Sequence, residues 1–366
     1  MTDGTVVKAQ ATHAGAQQLT FDVVIATRNR PEALALSIPL LLEQSRQPDQ
    51  LIVIDSSENH ETVARVVAET TKGWAGTVIV EHSKPGLPHQ RNLGLAHVTA
   101  DIVFFPDDDS LLYPGASEAI MTAYERDVEG CVAAVCAAEA LVPPSGAAID
   151  QGYQMSSEHR RKARFRLLRN RAERKLSQLN PGLYLGNVFK LRRQAPDWLE
   201  IENCVGVEYM TGFRMSFRVG CIKAVGFDDT LQDYALNEDV EASFAVARDG
   251  LLIGALNAQI YHHRFPGGRG NGYTLGAISV LNQAYVVLKH AVDGQIGKKQ
   301  NKAVRRRLKT FIRLKILVAL LGVGSGYGRE RLRGTLAAAG PALRLIRVPR
   351  SELVVAYRAA LDKLST

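Results

Sequence analysis

The chain has 366 residues, of which 46% are hydrophobic, 7% aromatic and 22% charged. That is a globular composition and excludes a fibrous or wholly disordered chain. The net charge of +8 implies an anionic partner. Four cysteines, Cys131, Cys136, Cys204 and Cys221, are scattered without metal-ligand spacing, and read as buried free thiols of a reducing compartment. The longest apolar stretch, residues 316–323, is far short of the roughly 20 a spanning helix needs.

Residues 1–18 are small and polar. They read as a disordered tail, without the basic and apolar regions of a signal peptide. Regular alternation then begins. Residues 21–26, Phe-Asp-Val-Val-Ile-Ala, form a β-rich run. Pro31 suits the first turn of a following helix, which carries Leu34, Ile38, Leu41 and Leu42 at helical spacing. Further strands are expected at 51–54, 77–80 and 102–105, separated by helices at 61–69 and 88–97. Short apolar runs alternating with helices predict an α/β fold: a mostly parallel central sheet with helices on both faces. In such sheets ligands bind beyond the C-terminal strand ends.

After residue 110 the pattern loosens. A strand is expected within 132–141, a very basic helix over 156–179 and a glycine-interrupted strand region over 206–217. A helix opens at Glu238-Asp239 with Asn237 as its N-cap and Gly250 as its stop. A strand follows over 251–261, then a glycine-rich stretch, 267–272. Everything beyond Tyr273 reads as helix, with a basic block over 298–315.

The polar clusters fall at strand ends. Thr27, Arg28, Asn29 and Arg30 follow the first strand, where helix-start amides and guanidiniums suit a phosphate or nucleotide. Such turns are also common as plain helix starts. Asp55, with Ser56 and Ser57, ends the second strand and can accept from a nucleobase or ribose, or cap a helix. Arg91 and Asn92 lie near the start of a helix at the same rim.

The strongest signal is Asp107-Asp108-Asp109 after the apolar run 102–106. Adjacent carboxylates repel unless a cation sits among them, and hard divalent cations take oxygen ligands. On an extended segment, Asp107 and Asp109 point the same way and Asp108 points elsewhere. Glu238 and Asp239 open a helix, where the macrodipole favours acids; functionally they suit a general base. His262 and His263 are competent ligands for Mn²⁺ or Mg²⁺ beside carboxylates. Arg269, in the glycine-rich loop, suits neutralising a leaving diphosphate.

In order, these pieces resemble the family 2 glycosyltransferases with the GT-A fold, from about residue 20 to residue 269. Residues 24–31, Val-Ile-Ala-Thr-Arg-Asn-Arg-Pro, look like that family's strand-one motif. Asp55 stands where the family places an acid that contacts the nucleotide base. Arg91-Asn92-Leu93-Gly94 resembles its Arg-Asn-x-Gly segment, and Asp107-Asp108-Asp109 its DXD motif. Gly212, Arg214, Ser216 and Arg218 fall in a segment similar to its acceptor-side Gly-x-x-x-Ser-x-Arg. Asn237-Glu238-Asp239 resembles the segment whose aspartate acts as base, and His262 or His263 matches a third metal ligand. Ala26 and Ser56 depart from the family's frequent proline and second acid; the latter leaves the nucleotide base open.

The resemblance implies inverting, metal-dependent transfer from a nucleoside diphosphate sugar, with a UDP-sugar favoured over dTDP- or GDP-sugars, to a glycan or lipid-linked hydroxyl acceptor. It also implies a GT-A catalytic domain over 19–272, with a donor half to about 110, an acceptor half beyond it, and a basic helical region over 273–366. The two basic segments suit an anionic membrane surface, a solvated face or an oligomer contact. Aromatic residues near them are few, so no nucleic acid is expected. A cytoplasmic protein, peripheral on the inner face of the membrane, fits these features. Two other readings use the same rim: a nucleotidyl or phosphoryl transferase, and a non-catalytic nucleotide-sugar-binding module.

Overall fold

The computed structural model describes residues 18–145, 147, 195–232, 235–265, 271–291 and 298–365. The N-terminal tail up to residue 17, the basic helix expected over 156–179, and Arg269 with its neighbours over 266–270 lie outside these residues.

Four parallel strands build the first half of the sheet: β1 (Phe21–Thr27), β2 (Gln50–Asp55), β3 (Thr77–His82) and β4 (Ile102–Pro106), ordered β3-β2-β1-β4. Helices α1 (Pro31–Leu42), α2 (His60–Thr70) and α3 (Leu87–His97) connect them. Side chains alternate across the strands. Val23, Ile25, Leu51 and Val53 face Leu34 and Ile38 of α1 and Val63 and Val67 of α2. Val24, Ile52, Ile54, Val103 and Phe105 face the other way, with Leu95 of α3. Helices therefore cover both faces. Asn59 caps α2 by accepting from the Thr62 amide at 3.2 Å. Gly94 lets α3 lie close on β1: a Cβ there would meet Val24 Cγ1 at 2.3 Å.

Beyond β4 the sheet is mixed. The strands β5 (Ser110–Leu112), β6 (Val132–Ala140), β7 (Cys204–Gly206), β8 (Arg214–Arg218) and β9 (Leu251–His262) complete nine. β8 runs antiparallel to both β4 and β6, β6 runs parallel to β9, and β5 and β7 both pair antiparallel with β9. Helices α4 (Ala116–Arg126), α5 (Trp198–Ile201), α6 (Val219–Val225) and α7 (Glu238–Val246) pack around this half. The glycine-interrupted region resolves into β7 and β8, with a loop between that carries Gly212.

Two local expectations change. Asn237 precedes α7 but makes no side-chain cap; it sits in the left-handed region at φ 75°. α7 also ends at Val246, before Gly250, whose lack of a side chain serves close packing on Ala133 instead. None of the four cysteines forms a disulfide; Cys136 and Cys204 are buried, while Cys131 and Cys221 are half-buried.

The C-terminal helices are α8 (Gly272–Ala291), α9 (Lys298–Leu320), α10 (Gly326–Leu345) and α11 (Leu353–Ser365). Leu281 and Tyr285 of α8, Leu308 and Ile312 of α9, Ala338 and Ala342 of α10 and Tyr357 of α11 share one core with Val240 and Phe244 of α7. Polar contacts reinforce that seam, since Lys289 meets Asp228 at 2.7 Å and Glu241 at 2.6 Å. Among the described residues, no helix is long and apolar enough to cross a membrane.

Candidate active site

The sheet brings the C-terminal ends of β1, β2 and β4 to one rim. β8 and β9 run the other way relative to their neighbours β4 and β5, and the pairings Pro106↔Arg214 and Ser110↔His262 bring their site residues to that rim too. Residues more than a hundred positions apart meet there.

At the end of β4 the three aspartates separate. Asp108 turns under the rim and is fully buried. It accepts from Thr27 Oγ1 at 2.7 Å and lies 2.7 Å from the Arg30 guanidinium. Burial pushes its carboxyl up to about 7; Arg30 pulls it down and the neighbouring Asp109 charge adds to the rise. Asp107, Asp109 and His262 gather on the other side, each with one ligand atom within 4.8 Å of the others. His262 Nε2 is 3.3 Å from Asp109 Oδ1 and 4.0 Å from Asp107 Oδ2. Its ring stacks on Phe213, with centroids 4.5 Å apart. Asp109 also accepts from the Phe265 amide at 2.9 Å. Burial works to raise the Asp109 pKa, but His262, Arg30 and that amide outweigh it and hold the carboxyl below its ordinary value.

Two carboxylates and an imidazole at this separation are a donor set for a hard or borderline divalent cation. His263 does not join them. Its amide donates to the Asp109 carbonyl at 3.1 Å, and its ring lies beside Tyr261 and Phe265. Successive strand residues face opposite ways, so only one of the pair faces the aspartates.

Arg91 links this cluster to α7. It is 2% exposed and lies under the rim. Its guanidinium contacts Glu238, Asp107 Oδ1 at 3.0 Å and the Gly212 carbonyl at 3.2 Å. Burial disfavours its charge, but Glu238 and Asp107 outweigh that and keep it protonated. Glu238 is buried against it and its carboxylate faces Arg91. Burial pushes Glu238 up to about 7, against the pull of Arg91 and with a further push from Asp239.

Asp239 is the half-buried member of the acidic pair. It accepts from the Gly212 amide at 2.9 Å and from the Val240 amide at 2.8 Å. Burial raises its pKa, although both amides and Arg91 oppose the rise. Gly212 thus donates to Asp239 while accepting from Arg91. A Cβ at Gly212 would sit 3.2 Å from Glu238 Oε1 and 3.4 Å from an Arg91 nitrogen. Arg214 is tied down nearby: its Nε donates to Thr211 Oγ1 at 2.6 Å, another nitrogen donates to the Ala137 carbonyl, and its guanidinium lies over Phe213.

A second feature lies at the β1–β2–β3 end of the rim. A cavity of about 470 Å³ is lined by Arg28, Ser56, Ser57, Glu58, His82 and Lys84, among others. Asn29 braces two of the lining residues, donating from its amide to Ser57 Oγ at 2.6 Å and accepting from the Glu58 amide at 3.0 Å. Asp55 does not reach the cavity. It is fully buried, and its oxygens take the Ser57 amide at 2.9 Å, the Ser57 hydroxyl and His60 Nδ1 at 2.8 Å. Behind it, buried Gln90 donates to the Thr27 carbonyl at 3.0 Å and the Ile54 carbonyl at 2.8 Å, joining β1 to β2.

His60, His82, Gln90 and Phe213 were given no role from the sequence. Gln90 stands next to Arg91 in the chain, yet nothing local marks its two cross-strand contacts. Phe213 reads as an ordinary apolar residue until β9 brings His262 to it.

With this fold and rim, the match of residues 22–194 to the Glycosyl transferase family 2 model defines a glycosyltransferase. The match covers a little under half of the chain; α5–α11 and β7–β9, with Asp239, His262 and the loop that holds Gly212, lie beyond it. No curated protein sequence matches the chain. Similar solved structures include the mannosyltransferase PcManGT from Pyrobaculum calidifontis in complex with GDP-Man and Mn²⁺, at 16% identity over 95% of this chain and 88% of that one, with a TM-score of 0.49. GalNAc-T7 with UDP, GalNAc and Mn²⁺ is 14% identical over 80% of this chain and 54% of its own, with a TM-score of 0.49. Residues 1–349 of TarS from S. aureus are 12% identical over 95% of this chain and 91% of that one, with a TM-score of 0.46.

Proposed function

We propose that the protein transfers a sugar from a nucleoside diphosphate sugar to a hydroxyl of a glycan or lipid-linked glycan, with inversion at the anomeric carbon, in the synthesis of cell-surface polysaccharide on the cytoplasmic side of a membrane. One observation carries this reading: Arg91 and Gly212 tie the Asp107–Asp109–His262 cluster to Asp239, so a donor-side and an acceptor-side group share one rim. On this reading, residues from 19 to about 110 serve the donor, 111–272 complete the acceptor side, and 273–366 form the helical region.

The cavity lined by Arg28 and Ser57 takes the nucleoside, with Asn29 and Asp55 holding its walls. Asp107, Asp109 and His262 are the residues that would hold Mn²⁺ or Mg²⁺, and a bound ion supplies positive charge beside the departing diphosphate. Arg30, anchored on Asp108, adds a guanidinium at the same edge, and Arg269 is assigned the same diphosphate. The acceptor oxygen attacks the anomeric carbon, its proton passes to Asp239, and the bond from that carbon to the diphosphate oxygen breaks. Burial gives Asp239 the basicity such a proton transfer needs. Glu238 and Arg91 position Asp107 and Gly212 and contact neither substrate.

The test is thermal denaturation with UDP, dTDP or GDP, with and without Mn²⁺. A ligand held at 100 times its Kd stabilises by about 2.7 kcal/mol. Stabilisation by UDP that needs the metal is expected. If no nucleoside diphosphate raises the Tm when Mn²⁺ is present, the reading fails.

A further inference from the structure

Helix α9 presents two unlike surfaces. Val304, Leu308 and Ile312 are buried in the C-terminal core. The opposite stripe, Lys302, Arg306, Lys309, Arg313, Leu317 and Leu320, is exposed. These residues recur at three- and four-residue spacing, so they lie along one line on the helix. That line begins basic and ends apolar. Leu317 is 57% exposed, and the turn into α10 adds Leu321 at 60% and Tyr327 at 53%, with Val323 also exposed. Glycines and a serine fill the rest of that turn, from Gly322 to Gly326.

Charge is equally one-sided. Residues 298–329 hold ten lysines and arginines and no aspartate or glutamate. A solvated helix face ordinarily mixes charges of both signs, with exposed acids pairing exposed bases. A cluster of five exposed large apolar groups at one tip is also not needed for the core, which the other face of α9 already closes.

We propose that this stripe and the α9–α10 turn dock the protein on a bilayer bearing anionic lipids. The basic part of the stripe lies against the phosphate headgroups, and Leu317, Leu320, Leu321, Val323 and Tyr327 enter the headgroup–acyl boundary. Both elements are required because they do different things. Lysines and arginines near an anionic surface contribute about 1 kcal/mol each and are screened by salt. Apolar side chains contribute by leaving water, and a tyrosine ring suits the interface. With no acid within the stripe, nothing on α9 repels the headgroups.

The test floats the full chain with vesicles of phosphatidylcholine alone or containing about 30% phosphatidylglycerol. Two variants, Leu317→Glu/Leu321→Glu and Arg306→Glu/Arg313→Glu, change exposed positions only. Co-flotation with the anionic vesicles alone is expected, weakened by salt, and each variant lowers the partition coefficient more than about tenfold. The Tm and UDP binding of both variants stay as in the parent, which separates lost docking from lost folding or a failed active-site reading. In Tyr327→Trp, indole emission shifts to the blue when anionic vesicles are added. The proposal is overturned if the parent ignores anionic vesicles, if neutral vesicles bind it equally, or if the leucine variant floats unchanged. A leucine variant that converts a dimer to a monomer without altering flotation assigns this face to a second copy and overturns it as well.

Discussion

Arg91→Met removes the one guanidinium that faces buried Glu238, Asp107 and the Gly212 carbonyl together. Methionine keeps much of the stem's bulk, so the loss is chiefly electrostatic. Asp107 is 31% exposed at its side chain and can be solvated; Glu238 is only 5% exposed and cannot. Where Glu238 is ionised, above about pH 7, stranding its buried charge costs about 3–5 kcal/mol. For a chain of this size that is a fall in Tm on the order of 10 °C.

The cost depends on pH with a defined sign. The Glu238 carboxyl is already raised from 4.5 to about 7 in the folded protein. Its contribution to stability is therefore greatest below 4.5 and declines as pH rises through 7. Without Arg91 the folded-state pKa rises further and the decline continues to higher pH. The deficit of Arg91→Met against the parent is thus expected to be larger at pH 8 than at pH 6. Adding Glu238→Gln removes the stranded charge and recovers at least half of the lost stability in a double-mutant cycle. The assay is urea denaturation of the four proteins at both pH values. At pH 8, a deficit below about 1 kcal/mol, or a double variant no more stable than the single one, refutes the idea that Arg91 holds a buried charge.

Asp239→Asn is expected to lower kcat by about 10²–10⁴-fold while UDP and Mn²⁺ still stabilise the protein. Because burial raises Asp239, the acid limb of kcat/KM in the parent should lie above the ordinary aspartate value, with activity lost as pH falls through it. His262→Ala should weaken Mn²⁺ binding in a calorimetric titration, whereas His263→Ala, whose ring lies by Tyr261 and Phe265, should leave it unchanged. Gly94→Ala forces a methyl to 2.3 Å from Val24 and should cost about 1–3 kcal/mol in chemical denaturation; a neutral result would mean α3 can lift from β1 at no cost.

The sequence alone determined the first half of the sheet and the place of its ligand rim. Strands at 21–27, 50–55 and 102–106 read as apolar runs because each is buried on both faces, the edge strand at 77–82 is half-exposed and reads from its β-branched residues, and helices with one apolar stripe separate them. Asp107-Asp108-Asp109 was legible for the same local reason: carboxylates that end such a run must meet water, a base or a cation. Helical character beyond residue 273 was likewise written in the local pattern.

Only the tertiary structure decided which polar side chains reach the rim and which are buried under it. Asp55, Asp108, Glu238 and Arg91 look alike in the sequence as polar residues at strand or helix ends, yet all four are buried and hold other groups. The choice of His262 over His263 follows from the pairing Ser110↔His262, a register set across 152 positions of chain. Gly212 meets Arg91 and Asp239 from 121 and 27 residues away. Local pattern reports what a residue does to its own helix or strand. Electrostatic partnership depends on distances of a few ångströms between segments, and those exist only once the sheet has closed.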